Sequence, residues 1–125
     1  MSGRMLKKKA RANRVPSLLD RVLAEAEVSL TAEPENEQIE GNASAINEDT
    51  DRETAEWIRD QLASGNEWAW CCVKVTLTWR GLSASDYLGC CSYESRASFV
   101  ADPYYQDMVA SCAKQIAEQA ERIRA

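Results

Sequence analysis

The sequence predicts an α+β domain: a small antiparallel sheet of about three strands, with two or three helices packed on one face and elements in the order (α)-β-α-β-β-α. Three observations predict it. Ala69, Cys71, Val73, Val75, Leu77 and Trp79 recur at strict period two, as in a strand with one core face. Residues 50–65 show helical spacing between a capping signal and a glycine stop. Asp102-Pro103 then opens a long final helix, with Asp at the N-cap and Pro at the first helical position.

Each element has its own signal. Pro16-Ser17 precedes Leu18, Leu19, Val22, Leu23 and Ala26, an i, i+3, i+4 stripe that reads as a first helix. Val28, Leu30 and Ala32 alternate with polar residues up to Pro34, which suits a half-buried strand. Residues 34–49 are acidic and rich in Asn, Glu, Ser and Gly, and read as a loop. In the next helix Thr50 and Glu53 fit a capping box, Trp57, Ile58 and Leu62 with Ala55 or Gln61 line the buried face, and Gly65 suits a left-handed C-terminal cap.

The long strand runs from Trp68 to Arg80. Its second face begins with Trp68, Trp70 and Cys72 and continues with Lys74, Thr76, Thr78 and Arg80, so part of that face is expected to be open. Gly81–Asp86 reads as a hairpin loop and Tyr87–Tyr93 as a shorter antiparallel strand. Ser95 caps a short turn holding Ala97, Phe99 and Val100. The final helix places Tyr105, Met108, Val109, Cys112, Ile116, Ala120 and Ile123 on one stripe. Residues 1–14 form an expected disordered basic arm, and residues 15–125 one α+β domain.

The chain has 125 residues and no histidine. That excludes Ser-His-Asp and Cys-His nucleophile pairs, His-bound zinc and imidazole acid–base chemistry. The phenols of Tyr87, Tyr93, Tyr104 and Tyr105 and the carboxyls of Asp86, Glu94, Asp102 and Asp107 show no spacing that demands catalysis, and no Gly-rich phosphate loop occurs. The expectation is a protein that is not an enzyme and uses no cofactor. Of the five cysteines, Cys71-Cys72 and Cys90-Cys91 are adjacent pairs. Neighbours on a strand point to opposite faces, so neither pair clamps a metal, and the cysteines read as core thiols of a reducing compartment.

The net charge of −5 divides unevenly. Residues 1–14 hold six bases and no acid; residues 15–60 hold thirteen acids and three bases; residues 61–125 hold seven acids and six bases. Glu33, Glu35, Glu37, Glu40, Glu48, Asp49 and Asp51 are therefore the candidate partner-binding acids, suited to a basic groove on another protein. Trp68, Trp70, Tyr87 and Tyr93 are the candidate aromatic anchors. Lys7, Lys8, Lys9, Arg11 and Arg14 are candidate phosphate contacts, and no direct nucleic-acid binding is expected except through that arm. No run approaches about 18 apolar residues, so no membrane span is expected. No apolar stretch follows the basic start, so no secretory signal is expected either.

The segments Gly65–Val75 (GNEWAWCCVKV), Asp86–Tyr93 (DYLGCCSY) and Tyr104–Met108 (YYQDM), with Glu33-Pro34-Glu35 and Gly41-Asn42-Ala43 upstream, resemble a group of small uncharacterised proteins encoded by bacteriophages and other mobile elements. The resemblance spans roughly residues 27–112 and brings no catalytic residues with it. It implies a bacterial host cytoplasm and, by analogy, an anti-CRISPR-like inhibitor or modulator of a host defence or nucleic-acid-handling complex. Two alternatives stand beside it: a small-ligand binder with an aromatic pocket near Trp70, Tyr87 and Tyr93, and a DNA-associated accessory protein acting through the basic arm. A homodimer is left open.

Overall fold

The computed structural model describes residues 15–124, so the basic arm and its candidate phosphate contacts lie outside the described residues. Helix α1 (Leu18–Glu25) starts at Ser17, whose Oγ accepts from the Asp20 N–H at 3.1 Å while the Asp20 carboxylate accepts from the Ser17 N–H at 3.2 Å. This reciprocal capping box satisfies two otherwise unpaired donors. Strand β1 (Glu27–Pro34) follows at once and stops at its proline.

Helix α2 (Glu48–Ala63) begins earlier than the sequence suggests. Asn47, and not Thr50, is its cap: the Asn47 Oδ1 accepts from the Thr50 N–H at 2.7 Å. Asn is among the strongest capping residues, and starting there places Glu48, Asp49 and Asp51 in the first turn, where the helix dipole favours acids. Gly65, at φ 97, ends the helix as expected, with its N–H donating to the Leu62 carbonyl.

Strands β2 (Cys71–Trp79) and β3 (Leu82–Cys91) complete an antiparallel sheet in the order β1-β2-β3. The expected loop over Gly81–Asp86 is replaced by a two-residue turn. Arg80 (φ 49) and Gly81 (φ 80) both lie in the left-handed region, the geometry of a type I′ hairpin, so Leu82 already pairs with Trp79 and Ala84 with Leu77. Near the other end the register slips between Cys71↔Cys91 and Val73↔Leu88, setting Cys72 against Gly89 and Cys90, the latter at φ 54.

Helix α3 (Arg96–Val100), capped by Ser95, inserts Phe99 into the core. Helix α4 (Pro103–Arg124) lies across β2 and β3. The main core joins Cys71, Val73, Val75, Leu77 and Trp79 of β2 to Cys112, Ile116 and neighbours on α4, with Val22 of α1 closing one side. Burying each of the Val, Leu and Ile side chains among them contributes about 1.5–3 kcal/mol. Ile123, expected on the buried stripe of α4, is exposed.

Helix α2 does not share the sheet face with α1, α3 and α4. Its buried Ile58 joins Ala69 and Trp70, with Ile39 and Ala43 packed alongside, in a separate small cluster. The cause is local. Residues 67–69 form a 3₁₀ turn capped by Asn66, where the sequence suggests the start of β2. The turn breaks the period-two alternation and sends Trp68 and Trp70 into different clusters. Trp57 is pushed outward and is 39% exposed, against the expectation that it lines the buried face.

Candidate binding surfaces

The seven candidate acids do not form one surface. Asp51, in the first turn of α2, is turned back onto the preceding loop: its carboxylate accepts from the backbone N–H groups of Gly41 (2.8 Å), Ala43 (2.9 Å) and Ser44 (3.0 Å). Those bonds, Gly41 first, hold its carboxyl below the usual range. Glu35 caps the β3 bulge, accepting from the Cys90 N–H at 3.3 Å and from the Glu37 N–H at 3.4 Å. Glu40 is ion-paired with Arg59, and Glu33 lies 4.0 Å from the Lys74 ammonium. Asp49 sits 3.5 Å from Arg52 with both side chains well exposed, a weak pair. Glu37 and Glu48 point to solvent.

A better-ordered acidic row runs along α2, and of its members only Asp49 is among those seven. Asp49, Glu53, Glu56 and Asp60 follow one another at i, i+4, i+7 and i+11, and all four are exposed. Successive side chains on such a row stand about 5–6 Å apart. The row is about 16 Å long at 1.5 Å per residue. The half-exposed Trp57 indole lies beside it, one position after Glu56. The spacing is visible in the sequence once the helix is drawn on its 3.6-residue period; counting acids along the chain conceals it.

The aromatic anchors are dispersed too. Trp68 and Trp70 are only 8% and 6% exposed, which removes them as open anchors on a shared face. Trp68 stacks on Phe99 with ring centroids 5.9 Å apart. The Trp70 Nε1–H donates to the Glu37 carbonyl at 2.9 Å. The Tyr93 ring meets Phe99 edge-on at 5.0 Å, and its hydroxyl donates to the Asp102 carboxylate at 3.1 Å. Burial first, and then Asp102, push the Tyr93 phenol well above its ordinary range. Only Tyr87 is open, at 55% exposure, with the Lys74 ammonium 5.5 Å from its ring. Trp70, Tyr87 and Tyr93 therefore occupy three separate places and build no common pocket.

Part of the second sheet face is open, as the polar residues on β2 suggest. Pairing and alternation set Ser29, Thr31, Lys74, Thr76, Thr78, Ser83, Ser85 and Tyr87 on it. Thr76 and Ser85 share a hydroxyl–hydroxyl hydrogen bond of 2.8 Å. Glu27 and Glu33 share this face and its one lysine lies against Glu33, so the surface is rich in hydroxyls and not basic.

The cysteines divide by face. Cys71, Cys91 and Cys112 are buried, which matches core thiols; burial pushes Cys71 up to about 12 and Cys91 to about 11. Cys72 and Cys90 depart from that expectation, being half-buried and exposed at the bulge. All five are free thiols, and no group of three or more His, Cys, Asp or Glu side chains among the described residues is arranged to hold a metal. No protein-family model, curated protein or solved structure matches the chain. No helix among the described residues is long and apolar enough to cross a membrane.

Proposed function

We propose that the protein is a non-enzymatic inhibitor or modulator that binds a basic, nucleic-acid-contacting groove on a partner protein through the outer face of α2. The observation that carries this reading is the exposed row Asp49, Glu53, Glu56 and Asp60 with Trp57 at its side. A rigid row of carboxylates opposes a track of Lys and Arg, steers association and sets register. The indole supplies the apolar anchor that charge alone lacks. Seating α2 in such a groove excludes nucleic acid from it.

The row is pre-organised by the loop acids. Asp51 fastens residues 41–44 to the first turn of α2, and the Glu40–Arg59 pair ties the same loop to the helix middle. Neither acid need contact the partner; both hold the helix that does. The identity of the partner as a bacterial defence or nucleic-acid-handling complex rests on the resemblance to mobile-element proteins. The test is charge reversal on α2: E53K/E56K/D60K should abolish partner capture that the wild-type chain sustains at low salt.

A further inference from the structure

The geometry points to a second binding site, for a small organic oxyanion on a flat apolar body, at the corner where α1, the β2–β3 turn and the last turn of α4 meet. A cavity of about 410 Å³ opens there. Leu18, Leu82 and Ala120 supply its apolar lining, and the exposed Ile123 adds an apolar edge. Its rim carries three arginines, Arg21, Arg80 and Arg124, from three different elements.

Two of these guanidinium groups are held in place. Arg80 lies 4.8 Å and Arg21 5.7 Å from the Trp79 ring centroid. Glu25 locks the arrangement: its Oε1 accepts from the Trp79 Nε1–H at 3.1 Å and from Arg80 at 3.4 Å, while its Oε2 lies 3.7 Å from Arg21. One carboxylate thus faces two guanidinium groups, and Arg124 makes no ion pair among the described residues. Each guanidinium has five N–H donors, so the stack and Glu25 leave donors free for a ligand. Pre-ordered arginines lose little entropy when they take up an oxyanion.

The local charge also runs against its surroundings. The arm contributes +6 to a total of −5, so the rest of the chain stands at −11. Against that background three arginines and one glutamate give this corner a positive surplus. Arg80 occupies the left-handed region at φ 49, where Asn or Gly is the usual hairpin residue. A long cationic side chain at such a position fits a requirement for its guanidinium and not for the turn. Phosphate and carboxylate share this recognition chemistry, bidentate N–H donation to a planar or tetrahedral oxyanion. The site uses none of the residues on the acidic face of α2 and stands or falls apart from it.

The test is calorimetric titration of the full-length chain with 1-naphthyl phosphate and with 1-naphthoate, with 1-naphthol and inorganic phosphate as controls. R80N removes the guanidinium while installing Asn-Gly, the favoured type I′ pair, so the hairpin is retained. The expected result is one-site binding of a naphthyl oxyanion that weakens by about tenfold or more in R80N, the loss of one charge-assisted contact. The melting temperature of R80N should equal or exceed that of wild type, R52Q on α2 should bind as wild type, and both controls should bind more weakly. Tighter binding of the phosphate or of the carboxylate identifies the natural ligand's anion. Failure of both oxyanions to bind at millimolar concentration, equal affinity in R80N, or equal loss in R52Q overturns the proposal.

Discussion

The Asp51 carboxylate accepts a hydrogen bond from the Gly41 backbone N–H at 2.8 Å, binding the first turn of α2 to a loop ten residues upstream. With Ala43 and Ser44 it gathers three backbone donors that have no partner in regular structure. The carboxyl pKa is depressed in the folded state, so the stability it contributes is present above the unfolded value, about 3.9, and is lost as pH falls through the folded value. D51N should therefore lower the melting temperature at pH 7. The difference should shrink as the pH drops below about 4. Thermal melts of both proteins across that range check the sign; a difference that grows in acid would contradict it.

Cys90 is exposed yet faces the Glu35 carboxylate, with its Sγ 3.9 Å from Glu35 Oε1. Partial desolvation, then Glu35 and Glu37, raise its thiol above the usual range. The thiolate is the reactive form, so Cys90 should alkylate slowly for an exposed cysteine. E35Q should move the pH–rate profile for iodoacetamide at Cys90 toward lower pH. Peptide mass spectrometry of the time course reads this; an unchanged profile would show that Glu35 does not govern the thiol.

The two apolar clusters should fail separately. Ile58 and Ile116 are both fully buried, one in the small α2 cluster and the other in the main core. Truncating a buried Ile to Ala costs about 2–5 kcal/mol. I116A should lower the global melting temperature and raise amide exchange throughout the sheet and α4. I58A should raise exchange chiefly in α2, as a locally opening unit. Equal exchange of α4 amides in the two variants would mean that the clusters form one cooperative unit.

Most of the architecture is legible because its signals are periodic or positional. The alternation from Cys71 to Trp79, the Asp102-Pro103 start and Gly65 each specify a backbone state by a local rule. The misses arise where one residue overrides a pattern. A 3₁₀ turn at 67–69 separates Trp68 from Trp70, and only the fold reveals the Asn66 cap that makes it. Arg80 carries no turn signal of its own, so the hairpin is shorter than composition suggests. The acids from Glu33 to Asp51 read as one patch because they are close in sequence. Hydrogen bonds and ion pairs within the fold engage Glu33, Glu35, Glu40 and Asp51, whereas the exposed row lies on α2, with only its first member, Asp49, in a weak pair with Arg52.

We propose that the outer face of α2 binds a partner's nucleic-acid groove. The direct measurement is affinity capture from bacterial lysate with three baits: wild type, the neutralised E53Q/E56Q/D60N and the reversed E53K/E56K/D60K, all with melting temperatures verified. One protein or complex should be retained by wild type, weakened by neutralisation, lost on reversal, and released by added nucleic acid or by raised salt. Capture that survives charge reversal, or that added nucleic acid leaves in place, would contradict it.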